Sequence, residues 1–194
     1  MQGTAPLSHI TGVPGWGSQD ENEYLYSLAQ TLPADAVIVE IGGEFGMSAS
    51  LFSKGSPTAR IYSIDNRFDG EVGTMHAANL AEAGLGENVK RIAADSQLAK
   101  TVSGFKRIEK GGIDLLFVDG AHDFQGALND LNLWTPLVKS GGYLVLHDTA
   151  GEQNRMPHIL HFDVSRALAT WYKDNGAEWA AAANVNTITS FRRV

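Results

Sequence analysis

Acidic residues and histidines recur at the ends of short apolar runs in this chain. The first run, residues 36–41 (AVIVEI), carries Glu40 near its end. Polar residues follow the later runs, namely Asp65 and Asn66, Asp95 and Ser96, Asp119 and His122, and His147 and Asp148. Carboxylates favour positively charged ligands, and a histidine beside them can accept a proton near neutral pH. These residue types predict a site that binds a cationic small molecule and moves a proton.

Three glycines, Gly42, Gly43 and Gly46, follow the first run. Glycine lets a backbone approach a ligand more closely than any bulkier residue does. A dinucleotide site needs the pattern G-x-G-x-x-G, but counting from Gly42 the later glycine positions hold Glu44 and Met47. The loop therefore predicts close contact with a ligand and disfavours a nicotinamide dinucleotide.

The charge of this loop also disfavours phosphates. Glu40 and Glu44 would repel a pyrophosphate, which dinucleotide sites seat at the start of a helix. The same carboxylates suit a nucleoside that carries sulfonium and ammonium groups, and its ribose hydroxyls can donate hydrogen bonds to Asp65.

The apolar runs are predicted to be strands that alternate with helices. The predicted strands are residues 36–41, 61–64, 89–92, 113–118 and 143–146, the last preceded by a Gly141-Gly142 turn. Helices are predicted at about 47–53, 74–83, 97–102, 124–134 and 158–172, and an antiparallel hairpin at 178–183 and 187–192. This order predicts an α/β fold. Its sheet is expected to be Rossmann-like, doubly wound, mostly parallel and seven-stranded, with an antiparallel C-terminal hairpin and helices on both faces.

The N-terminal part divides at Ser18. Ser18 and Glu21 have the spacing of a capping box, which predicts a helix from there to Pro33. Residues 1–18, rich in Gly, Pro, Ser and Thr, are predicted to be an extension or lid, in which Trp16 could close over a ligand. Residues 19–194 are predicted to form one domain, which suits the length of the chain.

The composition narrows the class of partner. The formal net charge of -7 and the absence of a basic block disfavour nucleic acid. The apolar runs are too short to cross a bilayer, and the absence of cysteine suits a reducing compartment, so we expect a cytoplasmic protein without membrane contact. The C-terminal hairpin offers a sheet edge for a homodimer.

Three motifs resemble one enzyme family. Residues 39–48 (VEIGGEFGMS) resemble the first motif of class I S-adenosylmethionine (SAM)-dependent methyltransferases. Residues 117–124 (FVDGAHDF) and 141–148 (GGYLVLHD) are similar to the small O-methyltransferase branch, in particular to its catechol and sugar O-methyltransferase-like members. The resemblance covers about residues 15–148 and implies methyl transfer from SAM to the hydroxyl of a small acceptor.

The resemblance also implies roles for individual residues. Glu40, with the loop of Gly42, Gly43 and Gly46 and with Ser48, would hold the methionine part of SAM, and Asp65 with Asn66 would hold the ribose. Asp95 and Ser96 would face the adenine. Asp119 would close the cofactor site beside the acceptor.

Metal-dependent relatives imply a divalent ion. The corresponding ligands here are Asp119, His147 and Asp148. Relatives carry an acidic or amide pair where this chain has His147 and Asp148. Because Mg²⁺ prefers oxygen ligands, the imidazole leaves Mn²⁺ or a softer ion as the alternative to Mg²⁺.

Two histidines are candidates for the general base that accepts the acceptor's proton. His122, three residues beyond Asp119, is the first choice, and His147 is the alternative where it does not bind a metal. A helix-capping role for His122 and a buried structural role for His147 are the competing interpretations. His158 and His161 are spaced to lie on one helix face as a weaker candidate metal pair.

Other functions stay open at this stage. A nicotinamide-dependent oxidoreductase would use a similar sheet, and a non-catalytic nucleoside-binding module would keep the site without turnover. The acceptor cannot be identified from the residues, because acceptor pockets are built by variable loops, here predicted at Phe68 to Gly73 and Gly151 to Pro157.

Overall fold

The computed structural model describes residues 5–149 and 161–194, without the side chains of residues 161 and 162. Within this part the helices are α1 (Gln19–Gln30), α2 (Met47–Gly55), α3 (Glu71–Glu82), α4 (Ala99–Ile108), α5 (Phe124–Trp134) and α6 (His161–Asn175). The strands are β1 (Val37–Ile41), β2 (Arg60–Asp65), β3 (Val89–Ala93), β4 (Ile113–Val118), β5 (Val138–Leu146), β6 (Trp179–Val185) and β7 (Ile188–Arg193).

The strands form one sheet in the order β3-β2-β1-β4-β5-β7-β6. β1 to β5 pair in parallel, whereas β7 pairs antiparallel with both β5 and β6. The predicted fold class is therefore confirmed, including the C-terminal hairpin. The chain reverses its direction of strand addition between β1 and β4, and open α/β sheets bind ligands in the crevice that such a reversal leaves at the carboxyl ends of the strands.

The sheet carries an apolar core on each face because alternate residues of a strand point to opposite sides. Val39 and Ile41 belong to one core, where Trp134 and Trp171 are buried. Ile38 belongs to the other core, together with residues of α1 and α2. The two cores hold the central strands rigidly, so the residues at their carboxyl ends are fixed in place.

Local sequence explains where several elements begin. The predicted capping box of α1 is confirmed, since the Ser18 side chain accepts from the Glu21 amide and the Glu21 side chain accepts from the Ser18 amide. Asp123 caps α5 by accepting from the Gly126 amide, so the interpretation of His122 as the cap of that helix is wrong. A carboxylate at this position satisfies amide groups that an imidazole one residue earlier does not reach.

Two predicted boundaries are corrected. The Gly141-Gly142 turn does not precede β5 but lies inside it, because the left-handed φ of +80° at Gly141 lets the strand pass through a register shift against β4. α4 runs to Ile108, well beyond the predicted end at residue 102, because Val102 and Phe105 bury one face of the longer helix. No helix in the described ranges is both long and apolar enough to cross a membrane.

Candidate active site

A cleft of about 880 Å³ opens along the carboxyl ends of the parallel strands. It runs from the loop after β3, past β2 and β1, to the residues that follow β4 and β5. Of the residues predicted for the site, Glu40 and Gly46 lie behind the cleft wall, and all the others line it. The structure thus brings the predicted residues together in one cavity.

Glycine is required where β1 meets the cleft. Gly42 has a φ of +90°, and a Cβ at this position would collide with the backbone carbonyl of Asp119. A Cβ at Gly43 would collide with the side chains of Ser63 and Phe68. Gly46, with a φ of +93°, is the N-cap residue that precedes α2. The loop therefore closes tightly over β4 and leaves its backbone facing the cleft.

Glu40 is a fully buried carboxylate behind this loop. It accepts hydrogen bonds from the hydroxyls of Ser48, in the first turn of α2, and Ser63, on β2. Burial raises the pKa of Glu40 to about 7, and the two hydroxyls offset only part of that effect. A buried carboxylate with neutral donors is stabilised by any cation that comes near it.

Asp65 is the last residue of β2, and both oxygens of its carboxylate already accept hydrogen bonds. Oδ1 accepts from the Arg67 amide at 2.8 Å, and Oδ2 accepts from the Glu44 amide at 3.1 Å and from Arg67 Nη2 at 3.0 Å. Burial opposes ionisation, but these donors outweigh it and lower the pKa of Asp65. Because the Arg67 side chain is half-exposed, it can swing aside for a ribose at little cost.

The loop after β3 is held in place by a side chain of α5. Asp95 Oδ1 accepts from the Gln97 amide at 2.9 Å, and Ser96 Oγ donates to Asp130 Oδ1 at 2.6 Å. Asp130 is fully buried, so it is a structural carboxylate and not a solvated one. Its place one turn from Ala127 and Trp134, on the apolar face of α5, is the signal in the sequence that could have revealed its burial.

Asp119, His122 and Asp148 form a cluster at the other end of the cleft. One atom of each side chain that could ligate a metal lies within 4.8 Å of the other two. His122 Nε2 is 3.3 Å from Asp148 Oδ2 and 3.7 Å from Asp119 Oδ1. Burial opposes ionisation of Asp119, but His147 and His122 outweigh it and lower its pKa to about 2. Two carboxylates and an imidazole suit a divalent ion as a ligand set.

His147 is held inside the protein behind this cluster. Nδ1 lies 3.4 Å from both Asp119 and Asp148, and Nε2 lies 3.5 Å from Glu21 Oε2. Burial opposes its protonation, but these carboxylates raise the pKa of His147 well above its usual value. The structure therefore groups His122 with the two aspartates as donors facing the cleft, whereas the sequence prediction had placed His147 there.

Glu21 is a site residue that the sequence analysis missed. It was identified only as a helix cap, yet it also lines the cleft and pairs with His147. No local pattern could reveal this contact, because α1 and the end of β5 are brought together only by the fold.

The remaining predictions have mixed outcomes. Trp16 lines the cleft with 59% of its surface exposed, and its role as a lid stays a prediction. No residue from Phe68 to Gly73 lines the cleft, and the role of this loop in acceptor binding stays a prediction. Phe68 is instead buried against His76, at a ring distance of 4.7 Å. Residues 151–157 and the His158–His161 pair cannot be compared, because residues 150–160 and the His161 side chain lie outside the description.

The fold and the cleft define an α/β protein with an acidic cleft at the strand reversal. Residues 39–149 match the sequence model of a family described as "Methyltransferase domain". This region is more than half of the chain, and the chain belongs to that family. The class I methyltransferase membership predicted from the motifs is thereby confirmed.

A curated relative is similar over part of its length. An uncharacterized protein of Acanthamoeba polyphaga mimivirus is 31% identical over 138 residues, which cover 64% of this chain and 57% of the viral protein. A second relative, an uncharacterized protein of Sinorhizobium fredii, is 25% identical over 117 residues, 58% of this chain and 13% of that protein. The chain thus spans little more than half of one curated relative and a small part of the other.

Solved structures share the fold at low sequence identity. One is an O-methyltransferase from Bacillus cereus in complex with S-adenosylhomocysteine (SAH). It superposes with a TM-score of 0.69 at 17% identity, and the match covers 91% of this chain and 82% of that one. TomG from Streptomyces achromogenes, an O-methyltransferase of tomaymycin synthesis in complex with SAM, gives 0.70 at 17% identity, covering 92% and 81%. These similarities confirm the fold.

Proposed function

We propose that this chain binds SAM and transfers its methyl group to an oxygen atom of a small hydroxylated acceptor. The observation that carries the proposal is the contrast along one cleft. At one end the buried carboxylate of Glu40 has only hydroxyl donors, and at the other Asp119, His122 and Asp148 gather at the surface of the cavity. The first end suits a cation, and the second suits a hydroxyl that must lose its proton.

The residues of this chain fit SAM in three respects. The glycines after β1 leave room for close approach of the methionine part, Glu40 offsets its positive charge, and Asp65 can accept from the ribose once Arg67 moves. When bound, SAM supplies a methyl group on a positively charged sulfur. The new bond joins the acceptor oxygen to the methyl carbon while the carbon-sulfur bond breaks, and sulfur keeps that electron pair as a neutral thioether.

The acceptor's proton must leave as the new bond forms. His122 is the better placed of the two histidines, because 48% of its side chain is exposed at the cleft, against 14% for His147. His147 is enclosed by Glu21, Asp119 and Asp148, and these carboxylates raise its pKa well above the usual value, which disfavours proton acceptance. Asp119 raises the pKa of His122 as well, but His122 is the more exposed of the two at the cleft. We therefore assign the base to His122 and a positioning role to His147.

A metal-assisted version of the same reaction is the second candidate. Asp119, His122 and Asp148 would hold a divalent ion, which when bound would lower the pKa of the acceptor hydroxyl and fix its direction. Because one of these three donors is an imidazole, Mn²⁺ fits at least as well as Mg²⁺. In this version His122 would serve as a ligand, and the proton would leave to solvent.

Two experiments test the proposal. Titration calorimetry should register heat with SAM and with its product S-adenosylhomocysteine (SAH), and none with NAD, which would otherwise support an oxidoreductase. Methyl transfer from labelled SAM to a panel of catechols and sugars should then be measured with EDTA, Mg²⁺ and Mn²⁺. Turnover in EDTA supports His122 as the base, and turnover only with a metal supports the second candidate. Binding of SAM without turnover on any acceptor favours the non-catalytic module.

A further inference from the structure

Asp130 is a buried carboxylate that none of the steps above uses. Its side chain is fully buried, and it projects from α5 into the wall of the cleft beside Ser96, at the end where the resemblance places the adenine. Oδ1 accepts from Ser96 Oγ at 2.6 Å. Oδ2 has no hydrogen-bond partner among the described residues, and a Cβ placed on Gly120 would lie 3.6 Å from it. A buried carboxylate with a single side-chain donor is costly to keep, so it calls for a functional explanation.

The loop above Asp130 cannot easily turn away from it. The indole of Trp134, which is fully buried, donates from Nε1 to the backbone carbonyl of Ser96 at 3.0 Å. One turn earlier, Asn129 Nδ2 donates to Gln97 Oε1 at 3.2 Å. Three side chains of α5 therefore hold Ser96 and Gln97 in one orientation.

The contact fixes the direction in which the Ser96 hydroxyl can bond. A serine hydroxyl has one hydrogen to donate and two lone pairs that accept. A carboxylate oxygen can only accept while it is ionised, so the hydrogen of Ser96 points down into α5. What Ser96 Oγ offers to the cleft is a lone pair.

Because Ser96 Oγ can only accept a hydrogen bond from the cleft, it can distinguish one purine base from another. The 6-amino group of adenine donates a hydrogen bond, whereas the 6-oxo group of hypoxanthine accepts one. Two acceptors that face each other without water are unfavourable, and sites built around buried polar groups reject ligands that leave those groups unpaired. A lone pair directed at the 6-position therefore selects the amino group.

We propose that Asp130 is a positioning residue for base selectivity, which makes Ser96 Oγ a hydrogen-bond acceptor and so directs the cleft to 6-aminopurine over 6-oxopurine nucleosides. The inference rests on the proposed function, because it takes the base to lie against Ser96. It goes beyond that function by assigning the selectivity to a residue with no exposed surface. In this assignment Asp130 acts through Ser96.

The test compares SAH with its deaminated counterpart, S-inosylhomocysteine, by titration calorimetry. The wild-type protein should bind SAH more tightly by about tenfold or more, the size expected when a buried acceptor is left facing another acceptor. In Asp130→Asn the amide can donate to Ser96 Oγ and so release the serine hydrogen toward the cleft. The ratio of the two dissociation constants should then fall by about tenfold, mainly because S-inosylhomocysteine binds better.

Ser96→Ala provides a second variant that does not depend on a substitution at a buried charge. It removes the acceptor itself, so the preference for SAH should also diminish. The matched control is Asp123→Ala, which removes the cap of α5 and lowers its stability without touching Ser96. The control should lower the melting temperature and leave the SAH preference unchanged.

The outcomes separate the inference from the function on which it rests. If neither nucleoside binds the wild-type protein, the proposed function fails. If SAH binds but the wild type does not discriminate between the two ligands, the inference is overturned. Full discrimination retained in Ser96→Ala, or in folded Asp130→Asn, overturns it as well.

Discussion

Glu40 and Asp119 are two acidic residues on neighbouring strands whose environments have opposite effects. Glu40 has two hydroxyl donors, and burial raises its pKa to about 7. Burial also opposes ionisation of Asp119, but two imidazoles overcome it and lower the pKa to about 2. One end of the cleft thus lacks a protein cation beside its carboxylate, and the other supplies its own. We infer from this difference that the first end would stabilise a cationic ligand, while the second end is charged before any ligand binds.

The largest expected effect comes from removing the charge at the second end. Asp119→Asn should lower methyl transfer by about 10² or more, because it removes the carboxylate that orients both His122 and His147. Turnover with a saturating acceptor measures the loss. Asp69→Asn, an exposed carboxylate outside the cleft, is the control and should keep full activity. Activity within a few-fold of wild type in Asp119→Asn would contradict the assigned role.

Removing the charge of Glu40, at the first end, should weaken the binding of SAM. Glu40→Gln keeps the size and one acceptor oxygen, and its amide group can donate to the second serine hydroxyl, but it cannot offset a cation, so SAM affinity should fall by about 10-fold to 100-fold. In the wild type, affinity should rise with pH through about 7, since Glu40 becomes ionised there. Calorimetry between pH 6 and pH 8 measures both effects. If Glu40→Gln bound SAM as tightly as the wild type at pH 8, Glu40 would not stabilise the positive charge of SAM.

The two ends should also respond oppositely to pH in the absence of ligand. The pKa of Glu40 is raised from 4.5 to about 7 on folding, so its contribution to the free energy of unfolding is lost as pH rises through that range. Glu40→Gln, which does not ionise, should therefore gain stability relative to wild type between pH 4.5 and pH 7. Urea unfolding at several pH values measures the difference, and an unchanged difference would contradict the raised pKa.

The effect of Glu21 on the free energy of unfolding depends on pH in the opposite direction to that of Glu40. Burial opposes its ionisation, but His147, Thr187 and the Ser18 amide lower its pKa from 4.5 to about 2. Its stabilising effect is present above pH 4.5 and is lost as pH falls toward 2. Glu21→Gln should thus destabilise the protein by about 1–3 kcal/mol at pH 7, and the deficit should shrink in acid. Glu23→Gln, on the same helix, is the control, and a deficit that did not vary with pH would argue against the pairing.

The smallest effect is expected at the ribose position. Arg67→Gln frees the oxygens of Asp65 for a ribose, and a half-exposed ion pair contributes little. SAH should therefore bind tighter by no more than about fivefold. A large loss of affinity would instead mean that Arg67 itself contacts the ligand.

The sequence predicts the fold well because its signals are local. Apolar runs, the capping box at Ser18 and the glycines after β1 each determine their own element, and parallel pairing then brings the strand ends to one edge. Which side chains contact each other at that edge is a different question. The pairing of Glu21 with His147 and of Ser96 with Asp130 joins residues far apart in the chain, so no spacing rule contains them. For the same reason the sequence predicts His147 as a metal ligand, whereas the structure groups His122 with Asp119 and Asp148 and pairs His147 with Glu21.

Calorimetric titration of the wild-type protein and Glu40→Gln with SAM, with NAD as the competitor ligand, tests the central claim most directly. We predict that the wild type binds SAM but not NAD, and that the substitution weakens SAM binding in a folded protein. Binding of NAD, or no heat with either SAM or SAH, would show that this cleft does not select a positively charged nucleoside.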